Sequence, residues 1–194
     1  MTVAPLLIGL HGPKHCGKST VALAYSSAFG AERHRFAGKI KAMLRTLGLT
    51  EAQVDGDEKE LPCALLGGKT PRYAMLTLGD GWGRDMIDED IWCRTAAVGA
   101  EGRLVIFDDV RRVNEATALI EAGGIIIRLQ RDGVEFTRDH ATEQPLPSHL
   151  VHFTLSNNTT PEAAAEQIEG LRLNIADYLR GIETAFAISE KSTT

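Results

Sequence analysis

The stretch GLHGPKHCGKST, residues 9–20, decides the fold of this chain. Its part from Gly12 to Ser19 matches the pattern G-x-x-x-x-G-K-[ST] at every position. A predicted strand at 6–10 precedes it and a predicted helix opens at Lys18, which is the context that a P-loop requires. Glycines let successive backbone N–H groups turn towards one anion, and the helix N-terminus adds its positive dipole end. The stretch therefore predicts a nucleoside triphosphate site rather than an ordinary glycine-rich turn.

Each position of the loop has an expected role. The ammonium group of Lys18 reaches the β- and γ-phosphates, and the Ser19 hydroxyl can hold Mg²⁺. We take the thiol of Cys16 as incidental, although a helix N-terminus lowers the pKa of a thiol. The remaining positions expected to contact the nucleotide, mainly through backbone amides, are Gly12, Lys14, His15, Cys16, Gly17 and Thr20.

The bulk composition bounds the class of protein. A chain of 194 residues with 43% hydrophobic and 24% charged residues is typical of one soluble domain with a real core. Its net charge of -5 argues against a general nucleic-acid binder. The sequence has no apolar run near the ~20 residues that span a bilayer, and its first ten residues lack signal-peptide features. Three scattered cysteines suggest neither disulfides nor zinc, so we expect a reduced, cytoplasmic protein.

Strand and helix patterns alternate along most of the chain. Short apolar runs predict five strands, at 6–10, 34–36, 104–107, 125–129 and 151–155. Helical patterns at 18–29, 39–47, 114–122 and from Pro161 onward lie between and after them. The alternation predicts a three-layer α/β domain with a five-stranded parallel sheet. Residues 51–100 show no convincing strand, and we interpret them as a helical insertion in a core of 1–50 and 101–188.

A second acidic element follows the third predicted strand, in LVIFDDVRRVNEA at 104–116. An apolar strand that ends in a carboxylate is the Walker-B arrangement, in which the acid holds Mg²⁺ or its water. Asp108 and Asp109 compete for this role on the sequence alone. The alternative is a solvated acidic turn after a strand.

Arginines recur near the predicted loops and helix ends. A phosphotransferase whose acceptor is itself a phosphate must bring two anions together, and guanidinium groups suit that task. Two of these arginines flank a polar stretch, about 131–147, that can form a short lid. The arginines in question are Arg72, Arg84, Arg111, Arg112, Arg131 and Arg138.

Five ordered segments resemble the phage-type deoxynucleoside monophosphate kinases, a branch of the P-loop nucleoside monophosphate kinases. They are LHGPKHCGKST, RFAGKIKAML, GGKTPRYAMLTLGDGWGRDMIDEDIW, VIFDDVRRVNEA and DHATE. The resemblance implies a P-loop kinase fold in which the insertion binds the acceptor. It also implies ATP and Mg²⁺ as cofactors, and the host cytoplasm as location if the chain is phage-encoded.

The resemblance also implies individual roles. Asp109 is the acid of its D-x-R motif and would hold the metal with Ser19, and Arg111 would face the phosphates. Arg72 and Arg84 would hold the acceptor 5′-phosphate. The lid would carry a catalytic arginine, Arg131, together with the motif residues His140 and Glu143. The further candidates for the acceptor pocket are Phe36, Lys41, Trp82 and Trp92.

Structural alternatives stay open for several of these side chains. The two tryptophans and Phe36 can be core residues, and Lys41 can be a solvated charge on a helix. His140 and Glu143 can cap the lid loop.

Together these observations favour transfer of the ATP γ-phosphate to a deoxynucleoside monophosphate (dNMP). Catalytic roles would fall to Lys18, Asp109, Arg111 and Arg131. The expected partners are small nucleotides, without nucleic acid or membrane, and a homodimer is open beside a monomer. The alternatives are another small-molecule P-loop kinase, such as one acting on dephospho-coenzyme A, and a nucleotide sensor or slow NTPase switch.

Overall fold

A five-stranded sheet organises the computed structural model, which describes residues 6–98, 100, 102–137 and 144–175. The strands are β1 (Leu7–His11), β2 (Glu32–His34), β3 (Val105–Phe107), β4 (Ile125–Gln130) and β5 (Phe153–Ser156). Their order is β2-β3-β1-β4-β5. Central β1 pairs in parallel with β3 and β4, and β4 pairs in parallel with β5. The predicted five-stranded parallel α/β fold is confirmed.

Helices follow the strands, as parallel pairing requires. Helix α1 (Lys18–Phe29) follows β1, α6 (Val113–Glu121) follows β3, and α7 occupies 161–175 after β5. The three central strands, β1, β3 and β4, are mostly buried apolar runs, typical of a sheet covered on both faces. No helix among the described residues is both long and apolar enough to cross a membrane.

The second strand lies earlier than the sequence predicts. The prediction of 34–36 was wrong because it counted buried Phe36 as a strand residue, whereas Phe36 lies in the turn before α2 (Gly38–Thr46). The strand edge is instead fixed by Glu32, whose N–H donates to the Leu104 carbonyl at 2.8 Å. In the sequence, a buried aromatic residue just before a helix can thus be mistaken for part of a strand.

The described residues form two compact units. The first comprises residues up to Arg33 and from Ala100 onward, and contains most of the sheet. The second unit, His34–Gly99, contains the predicted insertion and also α2, which the sequence analysis placed in the core. The acceptor-binding role of the insertion stays a prediction.

The second unit is built from short helical pieces. After α2 come α3 (Glu51–Val54), the 3₁₀ turns Asp57–Glu60 and Ala64–Leu66, α4 (Pro71–Leu76), a π-helical segment (Thr77–Ile87) and α5 (Ile91–Ala97). Buried Leu44, Leu49 and Val54 form a small core. The wide π-type turn ends where the Asp88 N–H donates to the Gly83 carbonyl at 2.9 Å. Such turns are rare in proteins and are often found at functional sites.

Candidate active site

The P-loop connects β1 to α1 through three residues with positive φ angles. These are Gly12 (150°), His15 (68°) and Gly17 (95°). A Cβ on Gly12 would lie 2.5 Å from the Leu129 carbonyl oxygen, and one on Gly17 would lie 2.4 Å from Nδ2 of Asn157. Both the backbone conformation and the lack of space therefore require glycine at these two positions.

Lys18 holds its charge inside the curve of the loop. The side chain is 9% exposed, and its Nζ donates to the carbonyl oxygens of Gly12 and Pro13, each at 2.7 Å. In the described structure the first turn of α1 carries no acidic residue, and Gly17 supplies no side-chain cap. The ammonium group and the positive end of the helix dipole thus act on one place, which suits a polyphosphate.

The other loop side chains divide into exposed and buried ones. Lys14, His15, Ser19 and Thr20 are exposed, so the Ser19 hydroxyl is open to a ligand. Cys16 is fully buried, and its Sγ lies 3.7 Å from Lys18 Nζ. This thiol belongs to the core cluster of the first unit.

Asn157 is a support of the loop that the sequence analysis missed. Its buried side chain donates from Nδ2 to the Cys16 carbonyl at 2.8 Å, and its own N–H donates to the Gln130 carbonyl at 2.7 Å. It thereby connects the ends of β4 and β5 to the P-loop. Its position just beyond the last strand, where the loops of a parallel sheet meet, was the available signal.

The two neighbouring acids after β3 have different surroundings. Asp108 is buried, and its Oδ2 accepts from Nε of Arg33 at 2.9 Å and from Nη2 of the same guanidinium group. Asp109 is only half-buried. Since Asp108 already has a strong cationic partner, Asp109 is the more accessible carboxylate. Arg33 did not enter the sequence analysis because it lies 75 residues from its partner.

Glu115 fixes the backbone of the arginine motif. Its buried carboxylate accepts from the N–H of Arg111 at 2.9 Å and from the N–H of Arg112 at 3.1 Å, at the start of α6. A carboxylate at this helix end also interacts favourably with the dipole. Glu115, which lies in the resembling segment VIFDDVRRVNEA, thus has a structural role, which is to hold the backbone of Arg111 in place.

His11, the last residue of β1, joins three segments. Its Nδ1 is 3.1 Å from the Val110 carbonyl, and its Nε2 is 3.1 Å from the Leu146 N–H, which donates to it. This arrangement fits the neutral imidazole with its proton on Nδ1. Burial lowers the pKa of His11 to about 4, aided by the positive charges of Arg128, Lys18 and Arg111.

The lid residues are only partly described. Arg131 is exposed, and it bridges Val134 across a tight turn after β4 in which Gly133 has a φ of 73°. The predicted lid residues Arg138, His140 and Glu143 lie outside the described residues.

The aromatic candidates of the second unit differ in exposure. Trp92 is 2% exposed and its indole N–H donates to the Gly79 carbonyl at 2.7 Å, so it is a core residue that closes the π-helical segment. Trp82 is 39% exposed, with its ring centroid 6.2 Å from that of Trp92. Phe36 is buried. Of the three, Trp82 has the most surface available for contact with a ligand.

The charged candidates of the second unit are held by acids. Lys41 forms an ion pair with Asp55, and exposed Arg72 pairs with Glu60 at 3.1 Å. The Arg84 side chain is only 10% exposed. It pairs with Asp80 at 3.4 Å and donates from Nη1 to the Glu89 carbonyl at 3.0 Å.

Comparisons with known proteins extend this picture. No family model matches the chain. A mimivirus protein (Acanthamoeba polyphaga mimivirus) described as "Putative deoxynucleotide monophosphate kinase" is 30% identical over 181 residues, which is 84% of this chain and 94% of the relative.

A solved structure of low sequence identity shares the fold. The shikimate kinase of Aquifex aeolicus superposes with a TM-score of 0.50 at 12% identity, covering 87% of this chain and 96% of that one. A shikimate kinase from Acinetobacter baumannii gives a TM-score of 0.47 at 15% identity, with coverages of 89% and 95%.

Proposed function

Because the chain belongs to a family of P-loop kinases, the one that contains its mimivirus relative, we propose that it is a deoxynucleoside monophosphate kinase. It converts ATP and dNMP into ADP and dNDP. The observation that carries the proposal is the complete P-loop, with Lys18 held inside it, in a chain that matches a relative of that name over 94% of the relative's length.

The first unit supplies the donor side. The P-loop amides and the N-terminus of α1 bind the ATP phosphates, and Lys18 moves from the loop carbonyls to the β- and γ-phosphates. Arg111, whose backbone Glu115 fixes, and exposed Arg131 neutralise charge on the transferring group.

The residues around the loop fit a magnesium ion. A hydroxyl oxygen and a carboxylate oxygen are the hard donors that Mg²⁺ prefers, and exposed Ser19 and half-buried Asp109 provide them. Bound there, the ion would neutralise phosphate charge. Asp108 instead balances Arg33 at the edge of the sheet.

The second unit supplies the acceptor side, with candidates Phe36, Lys41, Arg72, Trp82 and Arg84. A phosphate oxygen of the dNMP forms a bond to the γ-phosphorus as the bond to the β–γ bridging oxygen breaks. The electron pair of the broken bond leaves with ADP. No general base is needed, because the acceptor phosphate is already ionised, and catalysis consists of positioning and charge neutralisation.

Coupled ADP release tests the proposal. We expect turnover that depends on one or more of the four common dNMPs, with little ADP formed in their absence. Matched reactions with dephospho-coenzyme A and without any acceptor serve as controls. ADP release that does not respond to a dNMP would contradict the proposal and favour a slow NTPase, whereas a response to dephospho-coenzyme A alone would favour the other kinase class.

A further inference from the structure

The peptide group that joins Val110 to Arg111 is held at both of its polar atoms. Its carbonyl oxygen, on fully buried Val110, is 3.1 Å from Nδ1 of the His11 ring, which donates to it. Its N–H, on Arg111, donates to the buried carboxylate of Glu115 at 2.9 Å. Because the C=O and N–H of a trans peptide point in opposite directions, these two partners together fix the plane of the group from which Arg111 extends.

The His11 ring is itself held in one orientation. Its Nε2 accepts from the Leu146 N–H at 3.1 Å, and the Leu146 carbonyl accepts from Nη2 of Arg128 at 2.6 Å. Arg128 is the residue that pairs with His11 across β1 and β4. The ring also stacks on Phe136, with the two ring centroids 5.1 Å apart and the planes at 22°. Since Nε2 must be unprotonated to accept, Nδ1 carries the proton that binds the Val110 carbonyl.

An imidazole at the end of β1 does what an apolar side chain could not. Its burial removes two polar nitrogens from water, a cost that an apolar side chain of similar size would avoid. The ring, however, offers one donor and one acceptor in a rigid frame, and both of its backbone partners belong to buried residues, Val110 and Leu146. The donor is aimed at the one peptide group that precedes Arg111.

We infer that His11 is a positioning residue for phosphoryl transfer, which acts by fixing the backbone of Arg111. The inference rests on the proposed function, in which Arg111 neutralises charge on the transferring group. That charge is stabilised mainly in the transition state, so a small displacement of the guanidinium group lowers kcat and leaves the KM of both nucleotides nearly unchanged. The strand that leads into the P-loop thus also sets the position of the arginine.

Two substitutions separate the two ends of the ring. The side-chain amide in His11→Asn can place a donor near the position of Nδ1, whereas the longer one in His11→Gln reaches the position of Nε2. His11→Asn therefore keeps the Val110 contact and loses that of Leu146, and His11→Gln does the reverse. Coupled ADP release should show kcat about ten-fold lower in His11→Gln, as for a buried carbonyl left without its hydrogen bond, and within about three-fold of wild type in His11→Asn.

A purely structural role would not produce this difference. Each variant loses one buried hydrogen bond, so both should lower Tm by similar amounts in circular dichroism. The matched control is His152→Gln, because the His152 ring accepts from a backbone N–H of β4, that of Ile126 at 3.1 Å, and not from the arginine loop. It should leave kcat unaltered. Equal kcat in His11→Asn and His11→Gln would overturn the inference.

A double-mutant cycle with Arg111→Ala tests whether His11 acts through the arginine. In that background His11→Gln should change kcat less than about two-fold further, because the group that it positions is gone. An undiminished loss there would overturn the inference and leave the proposed function intact. If Arg111→Ala keeps the wild-type kcat, the inference fails together with the role of Arg111. If the wild type shows no dNMP-dependent ADP release, the proposed function itself fails.

Discussion

The buried ammonium group of Lys18 is held by hydrogen bonds to two carbonyl oxygens of the loop. Each of those hydrogen bonds is 2.7 Å long, so the ammonium group is satisfied before any phosphate arrives. A triphosphate must therefore form stronger hydrogen bonds with Lys18 than these two neutral carbonyl oxygens do. Its anionic oxygens can, because charge-assisted hydrogen bonds are about twice as strong. The same residue both rigidifies the loop and selects for anions.

Replacement of this lysine tests its role in the reaction. We expect Lys18→Ala to fold and to lose well over nine-tenths of wild-type kcat, because it removes charge stabilisation made mainly in the transition state. Circular dichroism checks the fold and coupled ADP release gives kcat. A variant that kept more than about a tenth of kcat would place less than about 1.4 kcal/mol of the barrier at this residue, contrary to the proposed function.

The neighbouring acids give a paired test at the same scale. Asp109→Asn should raise the Mg²⁺ concentration needed for half-maximal rate and lower kcat sharply. Asp108→Asn should change the Mg²⁺ requirement less and lower Tm more, since it leaves Arg33 facing a neutral amide. A magnesium titration of both variants decides between the acids, and the reverse ranking would give the metal role to Asp108.

At the scale of elements, the π-helical segment depends on a glycine that lies against Trp92. A Cβ on Gly83 would lie 2.5 Å from Cζ2 of the indole, whereas one on Gly81 would meet no atom within 4 Å. Packing against Trp92 therefore requires glycine at position 83, whereas no such packing requirement applies at position 81.

This difference predicts opposite effects of one substitution. Gly83→Ala should destabilise the protein by about 1–3 kcal/mol, because the indole must shift in a packed core. Gly81→Ala, the matched control, should be neutral or slightly stabilising in a helical position. Denaturant unfolding followed by circular dichroism measures both, and equal effects of the two changes would refute the packing argument.

The elements that the sequence predicts well are those with local causes. Helix α1 was predicted at 18–29 and is found at Lys18–Phe29, because a glycine precedes it and another ends it. The π-helical segment was not predicted, since its geometry comes from packing against a side chain in another helix.

The same distinction applies to the candidate site. The loop residues could be named from a continuous motif. The side-chain contacts of Asn157, Arg33 and His11 could not, because their partners lie 75 to 141 residues away in the chain.

For the whole molecule, His11 makes stability depend on pH. The folded protein holds it with a pKa of about 4 in place of 6.5, so the unfolded chain binds more protons between these values. As far as His11 is concerned, the free energy of unfolding is therefore highest above pH 6.5 and decreases as the pH falls towards 4. The difference corresponds to about 3 kcal/mol at about 1.36 kcal/mol per pKa unit.

We expect the free energy of unfolding to fall between pH 6.5 and 4.5, before most carboxylates titrate. His152, whose pKa is also lowered by desolvation, adds to the same trend. Denaturant titrations across this range measure the effect, and the NMR shifts of the His11 ring give its midpoint directly. A ring that titrated near 6.5 would contradict the buried, neutral arrangement.

The placement of the two tryptophans gives the molecule an optical property. The chain has two tryptophans, and both lie in the second unit, one shielded from water and one partly open to it. Fluorescence excited at a wavelength that only indole absorbs therefore comes from the second unit alone. An emission change on adding a nucleotide would locate the response there without any label, and Trp82, as the more exposed emitter, would also be the one that a soluble quencher reaches first.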